Sequence, residues 1–104
     1  DELRGKRYRR EYRGESIYII VATDEDTGLP VEVFARFDQE GKDEKKYLTE
    51  AGWDMSTRLL SHLLRSEDET HTLEFIIAQI NKARRLKNDL PTLIACILEL
   101  YVKK

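Results

Sequence analysis

Two short runs rich in β-branched and aromatic residues lie on either side of an acidic turn, and they constrain this chain more than anything else in it. The first is SIYIIVAT, Ser16 to Thr23, and the second lies in DEDTGLPVEVFA, Asp24 to Ala35. Alternation along the first puts Ile17, Ile19 and Val21 on one face and Tyr18, Ile20 and Ala22 on the other. Both faces are largely apolar, as in a buried, central strand. The run Asp24, Glu25, Asp26, Thr27, Gly28 breaks it, and Gly28 supplies positive φ where a turn demands it. Pro30 opens the next strand, where a missing donor is tolerated. In VEVFARF, Val31, Val33, Ala35 and Phe37 alternate with Glu32, Phe34 and Arg36, the pattern of a half-buried strand. The pair reads as a β-hairpin.

The acidic turn is not a calcium loop. An EF-hand needs a glutamate at its twelfth position and a helix after it. Counted from Asp24, the twelfth residue is Ala35, inside a strand.

After a polar connection, residues 38–46, the period changes to 3.6. Leu48, Ala51, Met55, Leu59 and Leu63 share one helical stripe, and Trp53, Leu60 and Leu64 widen it, which predicts a helix contacted on two sides. Gly52 within it costs about 1 kcal/mol relative to Ala, and admits close approach of another backbone. Ser66 with Glu69 matches a capping box, and Asp68 and Thr70 are alternative caps for a second helix with Leu73, Ile76, Ile77 and Ile80 on one face. Lys82, Arg84, Arg85 and Lys87 follow at its basic C-terminal end. Asp89 is an N-cap, with Pro91 in the first turn of a third helix whose stripe is Leu90, Leu93, Ile94, Ile97, Leu98 and Tyr101.

Ahead of the hairpin, residues 1–14 hold six basic side chains against three acidic ones. As a strand, this segment sets Lys6, Tyr8, Arg10 and Tyr12 on one face and Arg7, Arg9 and Arg13 on the other. The plainer reading is a charged edge strand that discourages edge-to-edge association. The functional alternative is a surface for nucleic acid or a protein partner built from Arg7, Tyr8, Arg9, Arg10, Tyr12 and Arg13, with phosphate contacts and base stacking. A net charge of −2 argues against a general polyanion binder but leaves room for such a local patch.

A chain of 104 residues is one domain with one modest core. Charged residues make up 37%, against about a quarter in ordinary domains, but the apolar residues are patterned. Cys96 is the only cysteine, so no internal disulfide and no multi-cysteine zinc site can form, and a reducing, cytoplasmic setting fits. No apolar run reaches membrane-spanning length, and no secretory signal pattern is seen. Asp1 in first place, with no initiator Met, fits either an excised domain or a trimmed chain.

Catalytic patterns are missing. His62 lies among leucines and His71 near a helix start, neither in a metal motif. Cys96 reads as a small core hydrophobe. Ser61 and His62 are sequence neighbours, which on a helix do not face each other. No phosphate loop, dinucleotide fingerprint or nucleophile elbow is present. The residues thus describe a non-enzymatic module without metal or cofactor.

Several stretches together resemble the TSCPD domain, the small C-terminal domain of adenosylcobalamin-dependent ribonucleotide reductases. Glu25, Asp26, Gly28, Pro30, Glu32, Val33 and Phe34 follow its acidic turn and strand. Arg58, Leu59, Leu60, Ser61, Leu64 and Arg65 follow its first helix, and Glu74, Ile76, Ile77 and Gln79 its second. The segment Leu90 to Ala95 resembles a worn form of its closing motif. The family's cysteines are replaced: Arg13-Gly14-Glu15-Ser16 stands at the first region, and Leu90 and Thr92 stand for the cysteine and aspartate of the closing motif. Metal or thiol roles therefore do not carry over. The resemblance implies an accessory or interaction role beside a ribonucleotide reductase, with a reductase subunit as partner, or a diverged stand-alone relative. Independently of it, a third reading is a homo-oligomer joined through apolar surface that the helices leave exposed, such as one around Trp53 or Phe34. Reductase chemistry itself needs a large barrel that this chain cannot contain.

The expected architecture is α+β: an antiparallel sheet of two or three strands first, then three helices packed on one face of it, residues 1–104 forming one TSCPD-like domain.

Overall fold

The computed structural model describes residues 3–38, 43–68 and 70–102. Three strands come first: β1 (Leu3–Tyr12), β2 (Glu15–Asp24) and β3 (Pro30–Phe37). They form an antiparallel meander with β2 in the middle. Three helices follow: α1 (Glu44–Leu64), α2 (Leu73–Ala83) and α3 (Leu90–Glu99). The α+β arrangement read from the sequence is the one observed, with the sheet at three strands.

Both turns follow from local chemistry. Between β1 and β2, Arg13 and Gly14 take φ of 50° and 80°, the two left-handed positions that match the twist of a two-residue hairpin. Between β2 and β3, one oxygen of Asp24 accepts from the amides of Asp26 and Thr27 at 2.8 and 3.0 Å. Gly28 follows at φ 71°. That carboxylate closes an Asx turn. Pro30 opens β3 as expected, beside a register shift between Ala22 and Thr23 that leaves one extra residue on β3.

Ile17, Ile19, Val21, Val33 and Ala35 are fully buried on one sheet face. They join Phe37, Trp53, Ile77 and the α3 residues Leu93, Ile94, Ile97 and Leu98 in a single core. Helix α3 is held at its start by Asp89. One oxygen of that carboxylate accepts from the Thr92 amide and hydroxyl at 3.0 and 2.7 Å. The other accepts from the Arg85 and Leu86 amides at 2.7 and 2.9 Å. Desolvation opposes ionisation of this group, but these donors outweigh it and hold the carboxyl far below the usual range.

Three boundaries differ from expectation. Helix α1 begins at Glu44, capped by Asp43, inside the stretch read as a connection. Its charged first turn, Glu44-Lys45-Lys46, hides a helix start whose signal is the Asp43 cap. Helix α2 is capped by Thr72, whose hydroxyl accepts from the Phe75 amide, and not by Ser66, Asp68 or Thr70. Asp68 is engaged with Thr70 instead, and Glu69, the partner in the proposed capping box, lies outside the described residues. Arg84, Arg85 and Lys87 fall in the α2–α3 connection, leaving Lys82 alone in the last turn of α2.

The larger difference lies in α1. It packs along the outer edge of β3, and its inward side is mostly polar: Glu50, Trp53, Thr57 and Ser61 are its buried residues. A sheet edge presents amides and carbonyls that need partners once buried. Ser61 Oγ accepts from the Val33 amide at 3.0 Å and lies 3.3 Å from the Val33 carbonyl, to which it donates. Glu50 Oε2 accepts from the Phe37 amide at 2.7 Å. Thr57 returns its hydroxyl proton to the Trp53 carbonyl at 2.8 Å, so it enters the interior satisfied. Of the apolar stripe that the sequence offers as the packing face, Trp53, Leu60 and Leu64 pack on the core, whereas Leu48, Ala51, Met55, Leu59 and Leu63 point the other way.

Candidate interaction surfaces

The six residues singled out on the N-terminal strand do not form one patch. Residues directly opposite each other in an antiparallel pair share a sheet face. Tyr8 is paired with Ile19, Arg10 with Ile17 and Tyr12 with Glu15, so all three belong to the core side of the sheet. The Tyr8 hydroxyl lies 2.6 Å from that of Tyr101. Burial, and then this hydrogen bond, raise the Tyr101 phenol above its ordinary range. Lys6 and Arg10 sit over the Tyr8 ring at 5.2 and 5.5 Å. Tyr12 meets Trp53 edge-on at 5.1 Å and Phe37 at 6.3 Å. Both tyrosines offered for base stacking are thus engaged within the fold.

Arg7 and Arg9 emerge on the opposite, outer face. Arg7 lies over the Tyr18 ring at 4.7 Å. Arg9 donates to Ser16 Oγ at 2.7 Å and pairs with Asp38 at 3.1 Å. Arg13 stands apart in the hairpin turn. The rings on this outer face are Tyr18 and Phe34, in register with Arg36 and Ile20 respectively. Alternation alone sorts each of these residues onto one face of its strand, but only the register shows that Arg7 and Arg9 share that face. Arg36 is paired with Asp54 and Arg65 with Glu32, so acids interleave with the bases here. Strand β1 is a free edge of the sheet, and its basic character suits that position as well.

The other surface is the solvent side of α1. Leu48, Met55 and Leu59 are 68%, 65% and 66% exposed, and Leu63 is 40% exposed. Tyr47 and Ala51 lie open beside them. Gly52 lies within the same stripe, where an added Cβ would meet nothing within 4 Å, so no other backbone among the described residues approaches it. Trp53, a proposed centre of an exposed patch, is instead buried at 4.7 Å from Phe37. Phe34, the other such centre, is half-buried on the outer sheet face.

The remaining candidates are dispersed. His62 is exposed on α1, and Ser61 beside it turns inward to β3. His71 Nδ1 lies 3.2 Å from Ser66 Oγ. Cys96 is exposed, contrary to its reading as a core residue: α3 is buried around Leu93, Ile94, Ala95, Ile97 and Leu98, and position 96 falls on its remaining side. Among the described residues, no three His, Cys, Asp or Glu side chains converge as a metal site requires. No helix among them is long and apolar enough to cross a membrane.

A three-stranded meander with one edge sealed by a long helix, and one face covered by a helical pair, defines a small two-layer α+β domain. Its sequence matches the family model of the TSCPD domain over residues 2–102, and the chain belongs to that family, which is linked to ribonucleotide reductases. No curated protein and no solved structure matches it.

Proposed function

We propose that this chain is a non-catalytic accessory module that binds a protein partner beside a ribonucleotide reductase, in the cytoplasm and with no cofactor of its own. The observation that carries this is the solvent face of α1. Four large apolar side chains, Leu48, Met55, Leu59 and Leu63, stand exposed at helical spacing along about 22 Å of helix. A contiguous apolar stripe on a small domain marks an interaction surface, because leaving it in water forfeits burial energy. Family membership supports the reductase as the setting. Co-elution with a purified reductase large subunit at tens of micromolar tests it. Leu59→Lys, on the exposed side, should abolish co-elution without unfolding the chain. Absence of co-elution with the wild type would refute the association.

A second reading is a single-stranded nucleic-acid surface. It is favoured by Arg7, Tyr18, Phe34 and Arg36 sharing the outer sheet face. It predicts oligonucleotide binding, followed by fluorescence anisotropy, that weakens steeply with salt and is lost in Tyr18→Ala. Binding unaffected by salt would end it.

A further inference from the structure

We infer that the exposed face of α1 pairs with the same face of a second copy of this chain, the two helices antiparallel. The inference rests on the reading of that face as the module's contact surface and goes beyond it by naming what covers the face in the free chain, a second copy that a reductase subunit would displace.

Leu48, Gly52, Met55, Leu59 and then His62 with Leu63 recur at intervals of four and three, the spacing that keeps one seam against a partner helix. The seam is self-complementary in the antiparallel sense. With the two-fold axis between Met55 and Ser56, Leu48 of one copy meets Leu63 of the other, Leu59 meets Gly52, and the two Met55 side chains lie beside the axis. Gly52 is exposed and has open space where a Cβ would stand, so a leucine side chain can seat there.

Charge selects the same direction. Glu44 lies in the first turn of α1 and Arg65 at its C-cap. On the heptad that places Met55 in the seam, both flank it on one side. Antiparallel pairing sets Glu44 of each copy beside Arg65 of the other, twice by symmetry. Parallel pairing would leave Glu44 and Arg65 of the two copies on opposite flanks of the seam, without this ion pair, and would align the helix dipoles. Arg65 already pairs with Glu32, but its side chain is 51% exposed and has donors to spare.

Area is sufficient for a modest dimer. The exposed fractions of Tyr47, Leu48, Met55, Leu59 and Leu63 amount to about 350 Å² of apolar surface per copy, or about 700 Å² for the pair. That is the apolar share of an interface of about 1,200 Å², the lower end of the standard size for specific pairs.

Light scattering on the full chain, from low micromolar to millimolar, reads the mass directly. The expected mass rises with concentration from 12.2 kDa toward twice that value. Leu59→Lys should weaken the pairing by more than about tenfold. Cysteine cross-linking reads the direction, in a Cys96→Ser background. Met55→Cys, beside the axis, should form a disulfide-linked dimer under mild oxidation. Leu48→Cys should not, because its two copies lie about 22 Å apart. A mass of one chain at every concentration would overturn the inference. So would Leu59→Lys leaving the association intact, or Leu48→Cys linking as fast as Met55→Cys. If the free chain stays monomeric while Leu59→Lys still abolishes reductase binding, the pairing fails and the proposed function stands.

Discussion

Ser61→Ala tests how the sheet edge is sealed. The Ser61 hydroxyl accepts from the Val33 amide at 3.0 Å and lies 3.3 Å from the Val33 carbonyl, and Ser61 itself is 6% exposed. Removing it strands both backbone groups against α1. An unsatisfied buried donor costs about 1–3 kcal/mol, and the lost acceptor contact adds a fraction of that. Alanine returns about 0.5 kcal/mol as the better helix former. The net loss is about 2 kcal/mol, or a drop of about 8–16 °C in Tm for a domain of this size. Ser56→Ala is the control: it lies on the same helix, exposed, and carries only the propensity gain. Urea unfolding followed by circular dichroism measures both, with an unchanged m-value showing that the folded state is intact. Glu50→Ala should lose about 1.5–3 kcal/mol through the Phe37 amide. Glu50 and Ser61 lie about 16 Å apart along the helix, so the double variant should show the sum of the two losses. A loss below about 0.5 kcal/mol for Ser61→Ala would refute the claim that side chains of α1 satisfy this edge.

Three further outcomes are expected. Asp89→Ala should cost about 1–2 kcal/mol at neutral pH through the lost cap. The folded-state carboxyl is depressed, so its contribution is present above the unfolded value of about 3.9 and fades as pH falls below it; stability curves of the two proteins should converge in acid. Gly52→Ala, measured at low concentration, should stabilise the chain by about 0.5–1 kcal/mol, because the helix gains propensity and the new methyl meets nothing; a loss in a thermal melt would show a contact the fold does not display. Tyr101→Phe should lose about 1 kcal/mol and remove the phenol that resists ionisation longest in an absorbance titration. In the wild type the raised phenol contributes stability that is present below the unfolded value of about 10 and lost above it.

The fold was legible where period and turn chemistry agree. Ile17, Ile19 and Val21 alternate, Gly28 needs its positive φ, and Asp89 with Pro91 opens α3, and each fixes its element from a few residues. The sorting of residues 6–12 between two faces followed from period two alone. Which face met the core did not, because Lys6 and Arg10 alternate with tyrosines that can serve either side. The partners of those tyrosines, Tyr101 for Tyr8 and Trp53 for Tyr12, lie in distant helices. Cys96 was misplaced because composition makes α3 apolar nearly all round, and a single exposed position has no signature of its own.

Helix α1 was misread for a reason that bears on function. A hydrophobic stripe is assigned to the core on the premise that a helix packs on apolar surface. Helix α1 packs on a strand edge, where unpaired backbone groups reward a hydroxyl and a carboxylate, so Ser61 and Glu50 turn inward to bond β3, with Thr57 between them bonded to its own helix. Trp53, Leu60 and Leu64 still reach the core, but Leu48, Met55, Leu59 and Leu63 are left on the opposite side. Folding of one chain does not require them there: polar residues at positions 48, 55 and 59 would keep α1 on β3 and improve solubility. A domain whose charged residues reach 37%, and which could have covered this face with them, keeps Leu48, Met55, Leu59 and Leu63 in water instead. The stripe therefore lies outside the domain's own core, and on the proposed function it answers to a partner. Leu59→Lys separates the two demands, since it should leave the unfolding midpoint of the dilute monomer within about 0.5 kcal/mol of wild type while removing association. A large destabilisation of the monomer would instead place that leucine in the core.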